Sequence, residues 1–478
     1  MNDPRPCLRP LVAAVASAWL AACGGGGSGS LGSSTPPPPA SSDAFTWVAG
    51  ASTAGAAGSY GTEGTAAAAN TPGARNGPAG WRDAAGNLWL FGGLGYDGSG
   101  AGGDLNDLWR FSPVSGQWTW VGGASSVNGK GIYGTQNATA AANTPGARES
   151  AVSWVDAAGT VWLFGGAGYD SAGASGALSD LWQLNPASAQ WTWVGGASTV
   201  NATGAYGVLG VAAPGNAPGA REVAASWLDG SGNLWLFGGV GYDGVGGSGD
   251  LNDLWVYSPS TGQWTWVSGA QTANAVGVYG TRGTPAAGNA PGARYAAIAW
   301  TDAAGNLWLL GGSGYDSAGT NGSLSDLWEF SPSSGQWTWV GGSAFANTPG
   351  SYGTQGTAAA GNWPGGREAA AAATDASGNL WLSGGVGFDG NGTSGYLGDL
   401  WKLDATSGQW TWIAGAAVAN VVGVYGTQGS ATTATIPGGR FGGHAWFDAT
   451  GALWLFGGQG IDGTGAVGVL NDLWKYAP

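Results

Sequence analysis

The sequence predicts an all-β protein built from six copies of one four-stranded unit. Gly-Gly pairs begin at Gly92, Gly165, Gly238, Gly311, Gly384 and Gly457, each 73 residues after the one before. Three further columns keep that step: Trp109, Trp182, Trp255, Trp328, Trp401 and Trp474; Tyr60, Tyr133, Tyr206, Tyr279, Tyr352 and Tyr425; and an arginine column described below. A fixed period of this length, with no insertion between copies, means one supersecondary unit used repeatedly. Its apolar runs are short and lack helical spacing, which makes them strands.

Composition supports an ordered chain despite its glycine content. Gly 97 and Pro 22 make up a quarter of the 478 residues, a level associated with low-complexity disorder. Thirty Trp, placed periodically, supply the large apolar side chains that disordered chains lack. Only 9% of residues are charged and the net charge is −14, which argues against nucleic acid as a partner.

The chain begins with a targeting segment. Arg5 and Arg9 precede the apolar run Leu11 to Leu20, too short to span a membrane as a mature helix. Leu20-Ala21-Ala22-Cys23, followed by Gly24, resembles the lipobox of bacterial lipoproteins, in which the cysteine becomes the lipidated first residue. Residues 1–22 are expected to be a signal peptide, with Cys23 the lipidation site and the single membrane contact, at a bacterial outer membrane. Cys7 would leave with the signal, so the mature chain would have no free thiol. Residues 23–43, with Gly24 to Gly27 and Pro36 to Pro39, read as a tether ahead of a 44–478 domain.

Within a unit, strand a follows the arginine (Ala151 to Val155), and strand b is an apolar run ending at Gly-Gly (Asn87 to Phe91). Strand c surrounds Asp107-Leu108-Trp109, and strand d is Gln117-Trp118-Thr119-Trp120-Val121 after a Ser-Pro-x-x-Gly turn. Four antiparallel strands per unit make the blade of a β-propeller, here six-bladed. The chain opens on a d-type strand, Phe45 to Val48, and closes on the c-type strand at Asp472-Leu473-Trp474. The N-terminal strand is therefore expected to complete the last blade and remove its open edge.

These motifs together resemble the kelch repeat: an apolar strand ending in Gly-Gly, an Asn-Asp-Leu-Trp strand, and a Trp after the Ser-Pro-x-x-Gly turn. The resemblance spans all six units. It departs from the usual kelch length of about 50 residues, because most of the surplus falls between strand d and the next strand a, as in Gly122 to Gly146. A long loop is thus expected on one rim of every blade. The resemblance implies two function classes. One is a noncatalytic propeller that binds a glycan or protein partner through the long-loop face. The other is a sugar-active enzyme of the epimerase or mutarotase type, since kelch propellers occur in galactose oxidase and sialic acid epimerase. Copper chemistry of the first kind needs two His and a Cys-linked Tyr, whereas this chain has one His and would keep no free Cys. Near-identical blades favour the binding class, as a monomer with no cofactor or metal. The Gly-Tyr-Asp-Gly loops lack EF-hand or nonapeptide calcium spacing.

The candidate site is a ring. Arg75, Arg148, Arg221, Arg294, Arg367 and Arg440 should share a face with the aspartates after Gly-Gly (Asp97, Asp170, Asp243, Asp316, Asp389 and Asp462). Such a ring either pins the loops through bidentate Arg contacts or offers ligand contacts at the channel mouth. The Asp107 and Asp83 columns read as turn and strand-start residues. After each ring arginine stand Asn76, Glu149, Glu222, Tyr295, Glu368 and Phe441, so the mouth is chemically uneven there. Glu149, Glu222, Glu368 and Tyr295 join the candidate rim. Trp363 and the Tyr60 column are the candidates for stacking on carbohydrate, while the other Trp columns belong to the core. His444, the single histidine, is read first as structural.

Overall fold

The computed structural model describes residues 44–477, so the expected signal peptide, Cys23 and the whole of the expected tether lie outside the described residues. Every regular element among the described residues is a β-strand, in eight antiparallel sheets of three to five strands. In the first unit, Arg75–Asn76 and Ala79–Arg82 both pair with Leu88–Tyr96; that strand pairs with Gly102–Ser112, which pairs with Gln117–Gly122. The expected a-b-c-d order is present, with strand a broken in two. In the units beginning at Arg148 and Arg367 the long middle strands are broken as well, so each of these units counts as a four-stranded and a three-stranded sheet. Repeated antiparallel units of this kind are compatible with a β-propeller.

The break in strand a has a backbone cause. Gly77, Ser150, Val223, Ala296, Ala369 and Gly442 occupy equivalent positions, and all have left-handed φ, from 51° to 63°. For β-branched Val223 (φ 54°) this is a sparsely allowed conformation, costing on the order of 1 kcal/mol or more. The conformation turns each residue's N–H toward the equivalent carbonyl one unit earlier. Ser150 donates to Gly77 (2.7 Å), Val223 to Ser150 (3.0 Å), Ala296 to Val223 (2.9 Å), Ala369 to Ala296 (2.9 Å) and Gly442 to Ala369 (2.8 Å). Gly77 in turn donates to Gly442 at 2.8 Å, which closes the circuit.

Packing repeats the same circular order. Six apolar clusters each straddle two neighbouring units; one of them joins Trp109, Phe111 and Trp118 of the first unit to Trp446, Trp454 and Phe456 of the last. At about 25 cal/mol per Å², each buried indole contributes roughly 4–6 kcal/mol of transfer free energy as an upper estimate. The Gly-Gly pairs serve these junctions. A Cβ on Gly92 would stand 2.5 Å from the Arg148 carbonyl oxygen of the next unit, so only glycine admits that approach. At the chain ends Ala44–Ala49 pairs with Val467–Ala477, setting Phe45 opposite Tyr476 and Trp47 opposite Trp474. The N-terminal strand thus takes the d position expected of it.

The arginine column is a core element and not a rim. Arg75 is fully buried; its Nη1 and Nη2 donate to Asp107 at 2.6 and 2.8 Å, its Nε to the Gly73 carbonyl and its Nη1 also to the Gly92 carbonyl. Asp107 Oδ2 also accepts from the Tyr60 hydroxyl (2.6 Å) and the Trp109 indole N–H (2.7 Å). Arg148, Arg221, Arg294, Arg367 and Arg440 repeat the pair with Asp180, Asp253, Asp326, Asp399 and Asp472. Burial works against charge on each guanidinium, but the facing carboxylate more than offsets it and holds the arginine pKa above its ordinary value. Burial, and then the same carboxylate, push the tyrosine pKa values up. This corrects two expectations. The arginine partner is the aspartate before the strand-c Trp, and that aspartate is not a turn residue. Asp97 instead accepts from the backbone N–H groups of Ser99, Ala101 and Val127, tying its own loop to the next long one.

The long loops are likewise not a free rim throughout. In four units the loop folds back to bridge the outer strand of its own unit: Ala67 to Trp118, Ala213 to Trp264, Ala286 to Trp337 and Ala359 to Trp410. Much of the surplus over a 50-residue repeat is thereby spent covering an edge that would otherwise be open to another chain.

Because the buried pair is hydrogen-bonded on both sides, removing one partner strands a charge. Asp180→Asn should destabilise the chain by about 3–5 kcal/mol, whereas the double change Arg148→Met, Asp180→Leu should recover much of that loss. Urea titrations of the single and double variants test this.

Candidate functional site

The start of strand a from every unit lines a cavity of about 380 Å³. Its wall takes residues 77–80 and their equivalents from every unit, so it sits at the N-terminal ends of strand a, on the face where the long loops arrive. Most of that wall is small and apolar: Ala151, Val152, Val223, Ala224, Ala297, Ile298 and Ala370 among others. Polar and aromatic side chains concentrate in one sector, where Glu368, Tyr396, Asn420, Phe441, His444 and Asn76 come from the fifth, sixth and first units.

Cross-strand register builds this sector. Glu368 lies opposite Val386, and Val386 opposite Tyr396, so all three share one row across the fifth unit. Phe441 of the next unit stacks on Tyr396 with ring centroids 5.7 Å apart and planes 3° from parallel. The Tyr396 hydroxyl is held up in pKa by burial, partly countered by a hydrogen bond with Gln459.

Glu368 is 5% exposed, and its Oε2 has no hydrogen-bond partner. Burial pushes its pKa up to about 7, against the donated hydrogen bonds of the Ser313 and Tyr295 hydroxyls and with help from the negative charge of Asp250. Asp250 is itself raised to about 6 by burial, less the effect of an Asn321 Nδ2 donor at 2.9 Å. The two carboxyl groups therefore resist carrying charge together.

His444 completes the wall on the other side of Phe441. Its ring packs on Trp446 with centroids 4.6 Å apart and lies over Gly80 of the first unit, where a Cβ would come within 2.6 Å of the imidazole. Gly80 occupies a column otherwise filled by Ser153, Ser226, Ala299, Ala372 and Ala445, so the chain makes room for the imidazole at the seam between its last and first units. Burial lowers the His444 pKa to about 4, which leaves the ring neutral near pH 7.

No protein-family model and no curated protein matches this sequence. The site must be judged on its own chemistry.

Of the candidate rim, the cavity receives Glu368 alone among the charged residues. The six arginines are taken up by their aspartates, as described above. Glu149 and Glu222 are buried in the rows of their own units, outside the cavity wall, and Tyr295 reaches the site through its hydrogen bond to Glu368. Trp363 lies away from the cavity, its indole N–H donating to the Ser325 carbonyl (2.8 Å) and its ring packed edge-on to Trp410. The Tyr60 column, expected to offer stacking surfaces, is buried at 5–9% exposure with its hydroxyls bound to aspartate. Sequence reasoning passed over Tyr396 and Asp250. Both stand in the column Asp104, Ala177, Asp250, Ser323, Tyr396 and Val469, whose unevenness is the signal that would have found them. Among the described residues no three His, Cys, Asp or Glu gather as a metal site.

A carboxyl group whose folded pKa is raised contributes stability below its unfolded pKa and loses it as pH rises through the folded value. Glu368 should therefore cost the fold stability between about pH 4.5 and 7, by as much as roughly 3 kcal/mol. Glu368→Gln should flatten that part of the stability–pH curve, as measured by urea unfolding at half-unit pH steps.

Proposed function

We propose that this chain is a six-bladed kelch-type β-propeller, anchored by lipid at Cys23 to a bacterial outer membrane, that binds a glycan or a protein partner without transforming it. The observation that supports this reading is the cavity: every unit contributes to its wall, and its one carboxylate, its aromatic rings and its imidazole fall in one sector, with only serine hydroxyls elsewhere. A wall of small apolar residues with a few convergent polar groups is what a binding pocket requires, and about 380 Å³ is at the low end of the range for such pockets. The closed hydrogen-bond circuit at Gly77 to Gly442 and the Phe45–Tyr476 pairing favour a ring of six blades over an open array. The long-loop face is then the entrance, because the cavity sits at the strand ends that these loops feed.

A second reading has one observation in its favour. Glu368, with a pKa near 7, is suited to moving a proton at neutral pH, as an epimerase or mutarotase would need. Against it, the one imidazole of the wall, His444, is held neutral well below its usual pKa. The two readings separate on turnover. Screening on a glycan array followed by NMR of the retained sugars should show binding with anomer exchange no faster than in buffer; exchange accelerated by the wild-type chain and not by Glu368→Gln would replace binding with catalysis. Ser226→Trp, which fills the cavity from its apolar side, should abolish retention while leaving the chain folded.

The anchor has its own test. Radiolabelled palmitate should enter the wild-type chain in cells and fail to enter Cys23→Ala; equal labelling of the two would remove the lipoprotein reading.

A further inference from the structure

We propose that the polar sector of the cavity recognises an organic ammonium group, a primary or secondary amine on an apolar body, with Glu368 as its anchor and Tyr396 and Phe441 beside it. The proposal rests on the cavity being the binding site.

Charge decides the sign of the ligand. The cavity wall contains a carboxylate and neither Lys nor Arg. The six arginines that could have balanced it are each committed to an aspartate at 2.6–2.8 Å. Asp250 adds a second acidic group behind Glu368, so the field at this sector is negative. An anion would be repelled, and a neutral hydroxyl would gain only an ordinary hydrogen bond.

Geometry decides the type of cation. Glu368 is 95% buried, with hydroxyl donors from Ser313 and Tyr295 on the carboxylate but none on Oε2. A buried acceptor left without a donor is costly, and a bound N–H is a direct way to satisfy it. The stacked Tyr396 and Phe441 rings border the same space, and aromatic rings attract a desolvated cation. His444, neutral in the same sector, adds no repulsion. The opposite wall is mostly Ala, Val and Ile, with Ser150, Ser153 and Ser226 as its hydroxyls, and suits an apolar body better than a polyhydroxylated one.

Isothermal titration of the full chain at pH 8 with benzylammonium and with benzyl alcohol tests this directly. The ammonium should bind at least roughly tenfold more tightly than the alcohol, as expected of a charge-assisted hydrogen bond in a buried site. Glu368→Gln should erase that preference without a change in circular dichroism, and Tyr396→Leu should weaken the ammonium more than the alcohol. Equal affinities in the wild type, or a preference that survives Glu368→Gln, would overturn the proposal. Binding of neutral sugars in the cavity with no response to the ammonium would overturn the amine assignment and leave the binding reading intact. Binding of neither class would overturn both.

Discussion

Everything in this molecule is referred to a buried ion pair. Each unit places one guanidinium at the start of strand a and one carboxylate on strand c, both with almost no exposure, and joins them by paired hydrogen bonds of 2.6–2.9 Å. Tyr60 and Trp109 donate to the same carboxylate, and glycine carbonyls take further guanidinium donors. One ion pair therefore fixes the long loop, strand a, the Gly-Gly bulge and strand c relative to one another. The arrangement is costly to desolvate and intolerant of a missing partner, which suits a device whose role is to set position.

That commitment explains where chemistry can and cannot occur. Because the arginines are used internally, the cavity wall is free of Lys and Arg, and the sector around Glu368 is acidic by default. The unit itself supplies a neutral scaffold of small side chains. Specific chemistry comes from substitutions at positions the scaffold does not need: Glu368 and Phe441 after the arginine, Tyr396 on the third strand, and His444 where the other units have Ala, Val or Ile. Gly80 then yields space to the imidazole across the seam between units.

Much of the fold was legible in the sequence because periodicity exposes it. The Gly-Gly pairs, the Trp columns and the opening strand at Phe45 each announced their strand by position alone. The partner of Arg75 was not legible, since Asp97 and Asp107 keep the same 73-residue step and only the hairpin geometry selects between them. Nor was the left-handed position in strand a: Val223 is a residue that propensity assigns to an ordinary strand, yet tertiary hydrogen bonding forces it to a φ of 54°. Tyr396 stayed hidden for a related reason. Its neighbours in the site, Glu368 and Phe441, lie 28 and 45 residues away along the chain and meet it only through cross-strand register and stacking.

The hydrogen-bond circuit through Gly77, Ser150, Val223, Ala296, Ala369 and Gly442 has a consequence for arithmetic as well as for packing. An open stack of repeats can gain or lose a member at its end, and needs specialised end units to shield what the last one exposes. A circuit has no end. Its donors and acceptors balance only when the last unit meets the first, so removing one 73-residue copy would leave a gap at every level of the junction, and adding one would demand a different angle at all of them. Six backbone positions thus tie the first 73-residue copy to the last as firmly as they tie any copy to its neighbour.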